Sequence, residues 1–239
     1  MKLSEIFSQL AYGELSQLGL VNATGDGIAT DKQGQLVAHV NMGLLALYKR
    51  FLLKEGSVTI RLVTGRSTYP LNTEEDTLFI ENNDSPEFLD DIYKIERVYT
   101  DKGIELSLND ESEQYSCSTP SMSVLRVPYA VANKTTGLPS ELVTDTLKIV
   151  YRASHPKIVY TPTGFKPSNI NLELPYSHLE PLLFYVASRV NNPIGMTNEF
   201  HAGNSYYSKY EASCAALEQT NIKVDQGSQN TRLVSNGWV

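Results

Sequence analysis

The order of hydrophobic periods along this sequence predicts an α+β protein, with helices at both ends of the chain, a mostly β middle and an extended C-terminal tail. Three observations predict it. Apolar residues recur every three or four positions over residues 31–54 and again from Tyr176 to Thr220. Between them, from about Ser57 to Leu174, the period falls to two. Each terminal helix carries one apolar stripe, which is marginal in water on its own, so the two ends are expected to bury their stripes as a bundle from which the β region projects. The implied organisation is a helical body from residues 1–56 and 175–220, a β-rich insertion over 57–174 and a docking tail over 221–239.

Each element follows from local chemistry. Leu3, Ile6, Phe7, Leu10, Leu15 and Leu18 lie near helical spacing, with Gly13 weakening the run and Gly19 ending it. Asn22-Ala-Thr-Gly-Asp-Gly27 reads as a loop. Asp31 is the expected N-cap of a second helix, whose stripe is Leu36, Val37, Val40, Leu44, Leu47, Tyr48 and Phe51. Lys49, Arg50 and Lys54 complement its dipole and Gly56 stops it. Val58, Ile60 and Leu62 then alternate with Thr59 and Arg61 as in a half-buried strand. Leu78, Phe79 and Ile80 form a short apolar run, and residues 86–91 suit a single helical turn. Residues 92–99 and 104–108 form a β-hairpin around Thr100-Asp101-Lys102-Gly103. Further strands are expected at 121–127, 147–153, 157–160 and 170–174, with Ser154-His155-Pro156 as a turn.

Helical period returns with a start signal. Ser177 and Glu180 have the spacing of a capping box, and Pro181 falls in the first turn, where a missing N–H costs little. Leu179, Leu182, Leu183, Val186 and Val190 make the stripe, and Asn191-Asn192-Pro193 ends it. A last helix is expected over 199–220, with Phe200, Gly203, Tyr207, Tyr210, Cys214 and Leu217 at alternating spacings, and with Gly203, Ser213 and Ala216 small enough for a close neighbour. The polar stretch 225–232 has no period and is followed by Leu233-Val234-Ser235-Asn236-Gly237-Trp238-Val239, which holds the single tryptophan. An apolar end on a polar tether has the form of a docking peptide.

Composition narrows the chemistry. The net charge of −7 disfavours a generic nucleic-acid binder, which needs clustered cations to displace counterions. No apolar run approaches the ~20 residues that span a bilayer, and Met1-Lys2-Leu3-Ser4-Glu5 is unlike a signal peptide. Cys117 and Cys214 alone make neither a disulfide framework nor a zinc site, as expected of a chain made in a reducing cytoplasm. His39, His155, His178 and His201 are scattered, and no phosphate-loop, zinc-protease or nucleophile-elbow motif occurs. No enzymatic, cofactor or metal site is expected. The acids Glu74, Glu75 and Asp76, the pair Asp90 and Asp91, and the cluster Asp110, Glu111 and Glu113 read as solvated loops; as glycosidase-like carboxylates, Glu75 and Asp90 are the residues to test. The 14 tyrosines, with Tyr206, Tyr207 and Tyr210 close together, lean toward assembly, because tyrosine combines apolar area with a polar tip.

Several blocks taken together carry a family resemblance. They are Tyr12-Gly-Glu-Leu-Ser-Gln-Leu18, Asn41-Met-Gly-Leu-Leu-Ala-Leu-Tyr-Lys-Arg-Phe-Leu-Leu-Lys54, Leu174-Pro-Tyr-Ser-His-Leu-Glu-Pro-Leu-Leu-Phe-Tyr-Val-Ala-Ser-Arg189, Gly203-Asn-Ser-Tyr-Tyr-Ser-Lys-Tyr-Glu211 and Asn236-Gly-Trp-Val239. The chain resembles the head-to-tail adaptor proteins of short-tailed bacteriophages over both helical ends and the C-terminus, and weakly over the β region. The resemblance implies a non-enzymatic virion protein of the neck, a ring typically of about twelve copies joining the portal protein to the tail nozzle. Genomic DNA would pass through its channel without sequence-specific binding, and no membrane would be involved. The tail would dock on the portal through Asn230, Arg232, Leu233, Val234, Trp238 and Val239, and Tyr206, Tyr207 and Tyr210 would pack subunit against subunit. The β insertion would face the nozzle or tail fibre proteins. The readings that compete with it are a virion-associated cell-wall hydrolase and a carbohydrate- or fibre-binding module carried by the insertion.

Overall fold

The computed structural model describes residues 1–72, 79–81, 88–191 and 198–221. The protein is mixed α+β, and its described elements are, in chain order, α1 (Leu3–Tyr12), α2 (Gln33–Arg50), β1 (Glu55–Arg61), β2 (Thr68–Pro70), β3 (Ile80–Glu81), β4 (Ile92–Thr100), β5 (Glu105–Leu106), β6 (Ser118–Ser121), β7 (Val124–Arg126), α3 (Tyr129–Ala132), β8 (Thr146–Ala153), α4 (Leu179–Val190) and α5 (Asn198–Asn221). They divide into two compact units, one of Met1–Leu47 with the described chain from Lys157 onward, the other of Tyr48–Pro156.

The first unit is helical. Leu3, Ile6, Phe7 and Leu10 of α1, Leu36, Val40, Leu44 and Leu47 of α2, Leu182 and Val186 of α4 and Cys214 of α5 are all buried. Helix α4 packs on both α1 and α5. Gly43 lets α2 and α4 approach: a Cβ there would stand 2.6 Å from Leu182 Cδ1 and 3.1 Å from Tyr185 Cδ1. Helix α1 stops at Tyr12, short of the expected Leu18, because Gly13 leaves the helical path after donating to the Gln9 carbonyl at 2.9 Å. Leu15 still completes the stripe from the turn that follows.

Five local expectations are corrected. Helix α2 ends at Arg50, so Lys54 lies beyond it and Gly56 does not stop it but sits within β1, paired with Tyr151 of β8. Asp31 is not an N-cap: it lies within a 3-10 turn, Thr30–Lys32, that leads into α2, and its carboxylate pairs with Lys32 at 3.2 Å. Ser177 and Glu180 do not form a capping box. A 3-10 turn (Tyr176–His178) precedes α4, the Ser177 hydroxyl meets His178 Nδ1 at 3.0 Å, and the Glu180 carboxylate accepts from the Ser213 hydroxyl of α5 at 3.2 Å. Pro181 does sit in the first turn of α4, and Asn191 closes the far end by donating through its side chain to the Ala187 carbonyl at 2.9 Å. Residues 157–160 are not a strand, because the Asn41 side chain takes the place of a ladder partner: its Nδ2 donates to the Ile158 carbonyl and its Oδ1 accepts from the Ile158 N–H, both at 2.9 Å. Residues 170–174 form no strand either, only a single bridge between Asn171 and Lys2.

The second unit is built on a five-stranded antiparallel sheet of order β3-β1-β8-β4-β5 and a three-stranded one of order β2-β7-β6. Val58 and Ile60 of β1 and Leu147, Ile149, Tyr151 and Ala153 of β8 alternate into one core with Tyr69, Leu71, Leu125 and Val127. The expected hairpin is present as β4 and β5, paired through Val98 with Leu106 and Tyr99 with Glu105. Strand β4 breaks the simple alternation. Its register against β8 shifts between Ile92 and Lys94 and again between Ile95 and Arg97, so Ile95 and Val98, three apart, both face the core.

Candidate functional site

Two surfaces carry side chains that the folding of their own units does not account for. The first lies on the helices. Helix α2 buries its main stripe, yet Ala38, Met42 and Leu45, at spacings of four and three on the opposite side, are exposed, Met42 at 43% and Leu45 at 44%. Helices α4 and α5 add an aromatic and basic cluster. Tyr210 is buried within its own chain, with its ring edge-on to Tyr185 at 5.2 Å. Tyr206 lies 6.4 Å from Phe184, and the Lys209 ammonium sits over both rings, 5.1 Å from Tyr206 and 5.8 Å from Phe184. Tyr207 remains 49% exposed. Its hydroxyl donates to Glu211 one turn on, which holds its pKa above the ordinary phenol value. Arg189 covers Tyr185 at 5.5 Å, and its charge acts on both Tyr207 and His39 of α2. Of the three tyrosines singled out in the sequence, Tyr207 offers the largest free ring area.

The second surface is the outer face of the five-stranded sheet. Pairing sets one row of side chains across it: Glu81, Thr59, Lys148, Tyr99 and Glu105, contributed by β3, β1, β8, β4 and β5 in turn. A concavity of about 550 Å³ opens over this row, lined by Thr59, Tyr99, Thr100, Asp101, Gly103, Thr146, Lys148 and Val150. Its rim is the hairpin turn, held by a set of hydrogen bonds. The Asp101 N–H donates to Thr144 Oγ1 at 3.1 Å, and Lys102 donates to the Ser140 and Val143 carbonyls at 2.6 and 3.0 Å. Gly103 closes the turn at φ +77°, a left-handed conformation that disfavours other residues.

The residues expected to dock on the portal, Asn230, Arg232, Leu233, Val234, Trp238 and Val239, lie outside the described residues, as do Glu74, Glu75, Asp76, Leu78, Pro86, Asn192 and Pro193. Asp90 is exposed at φ 56°, while its neighbour Asp91 accepts from the Tyr151 hydroxyl at 3.1 Å and pairs with Lys54 at 3.5 Å. Asp110 accepts from the Ser112 hydroxyl and N–H, which lowers its pKa as in a solvated turn. Cys117 is buried and its thiol is pushed up to about 12 by desolvation. Among the described residues no group of three or more His, Cys, Asp or Glu could hold a metal, and no described helix is long and apolar enough to cross a membrane. Sequence reasoning missed Met42 and Leu45, although Ala38, Met42 and Leu45 already stand in the sequence as a second stripe. It also missed Lys148, whose outward place follows from its alternation with Leu147 and Ile149. In comparisons with known proteins, no family model matches the chain and no curated protein is similar enough to count as a relative.

Proposed function

We propose that this chain is a structural subunit that assembles through its helical unit, a head-to-tail adaptor whose copies form a ring between a phage portal protein and a tail nozzle. The observation that carries this reading is the exposed apolar stripe of α2. Ala38, Met42 and Leu45 face water on a helix whose other side already supplies a complete buried stripe, so folding alone does not require them. A ring needs two different complementary patches on each copy, because its contacts are head-to-tail. The α2 stripe supplies one. The α5 side, with Tyr207 exposed beside Arg189, supplies a chemically different second one. The virion is then the site of action, and the tail from Asn221 to Val239 is the segment that engages the portal, with Arg232 and Trp238 as anchors. The insertion would meet the nozzle or a fibre.

Electron microscopy of the purified chain mixed with a portal protein tests this. The expected result is a closed ring seated on the portal, lost in Met42→Glu and Leu45→Glu and unseated by truncation after Asp225. A chain that stays monomeric with the portal at micromolar concentration, or a truncated chain that joins it undiminished, rules the reading out.

A further inference from the structure

We propose that the concavity on the outer face of the five-stranded sheet binds an acidic saccharide, with Lys148 taking a sugar carboxylate and Tyr99 lying against the ring beside it. This is independent of the ring proposal.

The size fits: about 550 Å³ lies in the range of small-ligand sites and holds more than one sugar ring. The lining is mixed: threonine methyls, the Tyr99 ring and Val150 give apolar area, and the threonine hydroxyls, Lys148 and Asp101 give polar groups, as the faces and hydroxyls of a sugar require. The other cations of this sheet have side-chain partners, Arg97 through a hydrogen bond to the Tyr99 hydroxyl and the rest through ion pairs. Arg61 is paired with Glu81 at 2.7 Å, Arg152 with Glu96 at 3.0 Å and Lys94 with Glu96 at 3.0 Å. Lys148 is exposed on the central strand, with no ion pair among the described residues, and the row's carboxylates, Glu81 and Glu105, are each two strands away. Two strand spacings are about 10 Å, beyond a contact. The ammonium therefore meets an anion from outside at no cost in a broken pair.

The neighbours select which anion. Tyr99 flanks Lys148 on β4, giving a half-buried ring of the kind on which a pyranose packs. Asp101 on the rim accepts hydrogen bonds from hydroxyls, as a sugar provides and a phosphodiester does not. The rim needs no rearrangement, since the hydrogen bonds from Asp101 and Lys102 already hold the turn.

Titration of the full-length protein with oligogalacturonate, hyaluronan hexasaccharide and maltohexaose, followed by calorimetry and by amide chemical shifts, tests this. At least one acidic oligosaccharide is expected to bind, and maltohexaose is expected to bind at least about tenfold more weakly. Binding should weaken as salt is raised. Lys148→Ala and Tyr99→Ala should each lose about tenfold, with Lys148→Arg and Lys157→Ala, a lysine that does not line the concavity, close to wild type. Shift changes in the wild-type protein should centre on Thr59, Tyr99, Thr146 and Lys148, which keeps the test decisive should Tyr99→Ala unfold. The proposal is overturned if neither acidic oligosaccharide binds at about 10 mM. It is equally overturned if maltohexaose binds as well as they do, if a thymidine decamer binds this face more tightly, or if the shifts map elsewhere.

Discussion

At Gly56 the fold depends on a missing side chain. A Cβ there would stand 2.5 Å from Tyr151 Cζ and 2.6 Å from its hydroxyl oxygen. Tyr151 is 3% exposed, lies edge-on to Phe88 at 5.8 Å and donates to Asp91, so its ring has nowhere to move. Gly56→Ala is expected to destabilise the chain by about 1–3 kcal/mol, the usual cost of overpacking, despite alanine's smaller backbone entropy. A urea midpoint unchanged from wild type would refute this. The histidines make a second prediction. Burial lowers the pKa of His39, with a further push from Arg189, and burial lowers that of His178. Both therefore take up a proton less readily in the folded state, and the unfolded chain is protonated first as pH falls. Their stabilisation is complete above the ordinary histidine value of about 6.5 and is lost progressively below it. Thermal melts should fall in midpoint from pH 7 to pH 5, with a shallower fall in His39→Gln. Equal slopes would show that His39 contributes nothing.

Helix α2 shows at the scale of an element how far pattern carries. Its buried stripe, Leu36 to Tyr48, is legible because 3.6-residue periodicity is a property of the sequence itself. Its exposed stripe is as regular, and periodicity cannot say which of two stripes meets a neighbour. The same division holds elsewhere. The hairpin of β4 and β5 was readable from its Gly-containing turn, whereas the β4 irregularity that brings Ile95 and Val98 to one face arises from pairing with β8, fifty residues on. Residues 157–160 read as a strand by composition, yet Asn41, far away in sequence, holds Ile158 from the side. Ser177 and Glu180 have capping spacing, but Ser213 of α5 competes for the carboxylate. Sequence reasoning failed where a distant partner overrode a local preference. The concavity is a stronger case, since Thr59, Tyr99 and Lys148 come from three strands and meet only through register. The two faces of α2 should separate in the free chain. Leu44→Ala, at 1% exposure, is expected to cost about 2–5 kcal/mol, while Met42→Glu and Leu45→Glu stay within about 0.5 kcal/mol. A large loss of folding stability in Met42→Glu would mean that the stripe serves the fold and not a partner.

Over the whole molecule, the division into units has a consequence for how the chain folds. The segment Tyr48–Pro156 has its own core, which among the described residues holds eighteen buried side chains from Val58 to Ala153, built from both of its sheets. Its ends are joined within it. The Tyr48 ring meets His155 edge-on at 5.5 Å, Arg152 donates to the Lys49 carbonyl at 3.0 Å, and the Ala153 N–H donates to the Lys54 carbonyl at 3.0 Å. A segment whose two ends lie side by side can be inserted into another unit without stretching either, and the closure entropy it adds to the host grows only slowly with its length. The second unit should therefore fold when expressed as residues 48–156 alone, with one cooperative transition and a stability of about 5–10 kcal/mol, typical of a small domain. Circular dichroism and urea titration would measure it. Cooperative unfolding would assign the sheet and its concavity to an autonomous domain carried by the helical ends. A fragment that stays unfolded, or melts without cooperativity, would show that the sheet draws its stability from the helical unit and that the two fold as one.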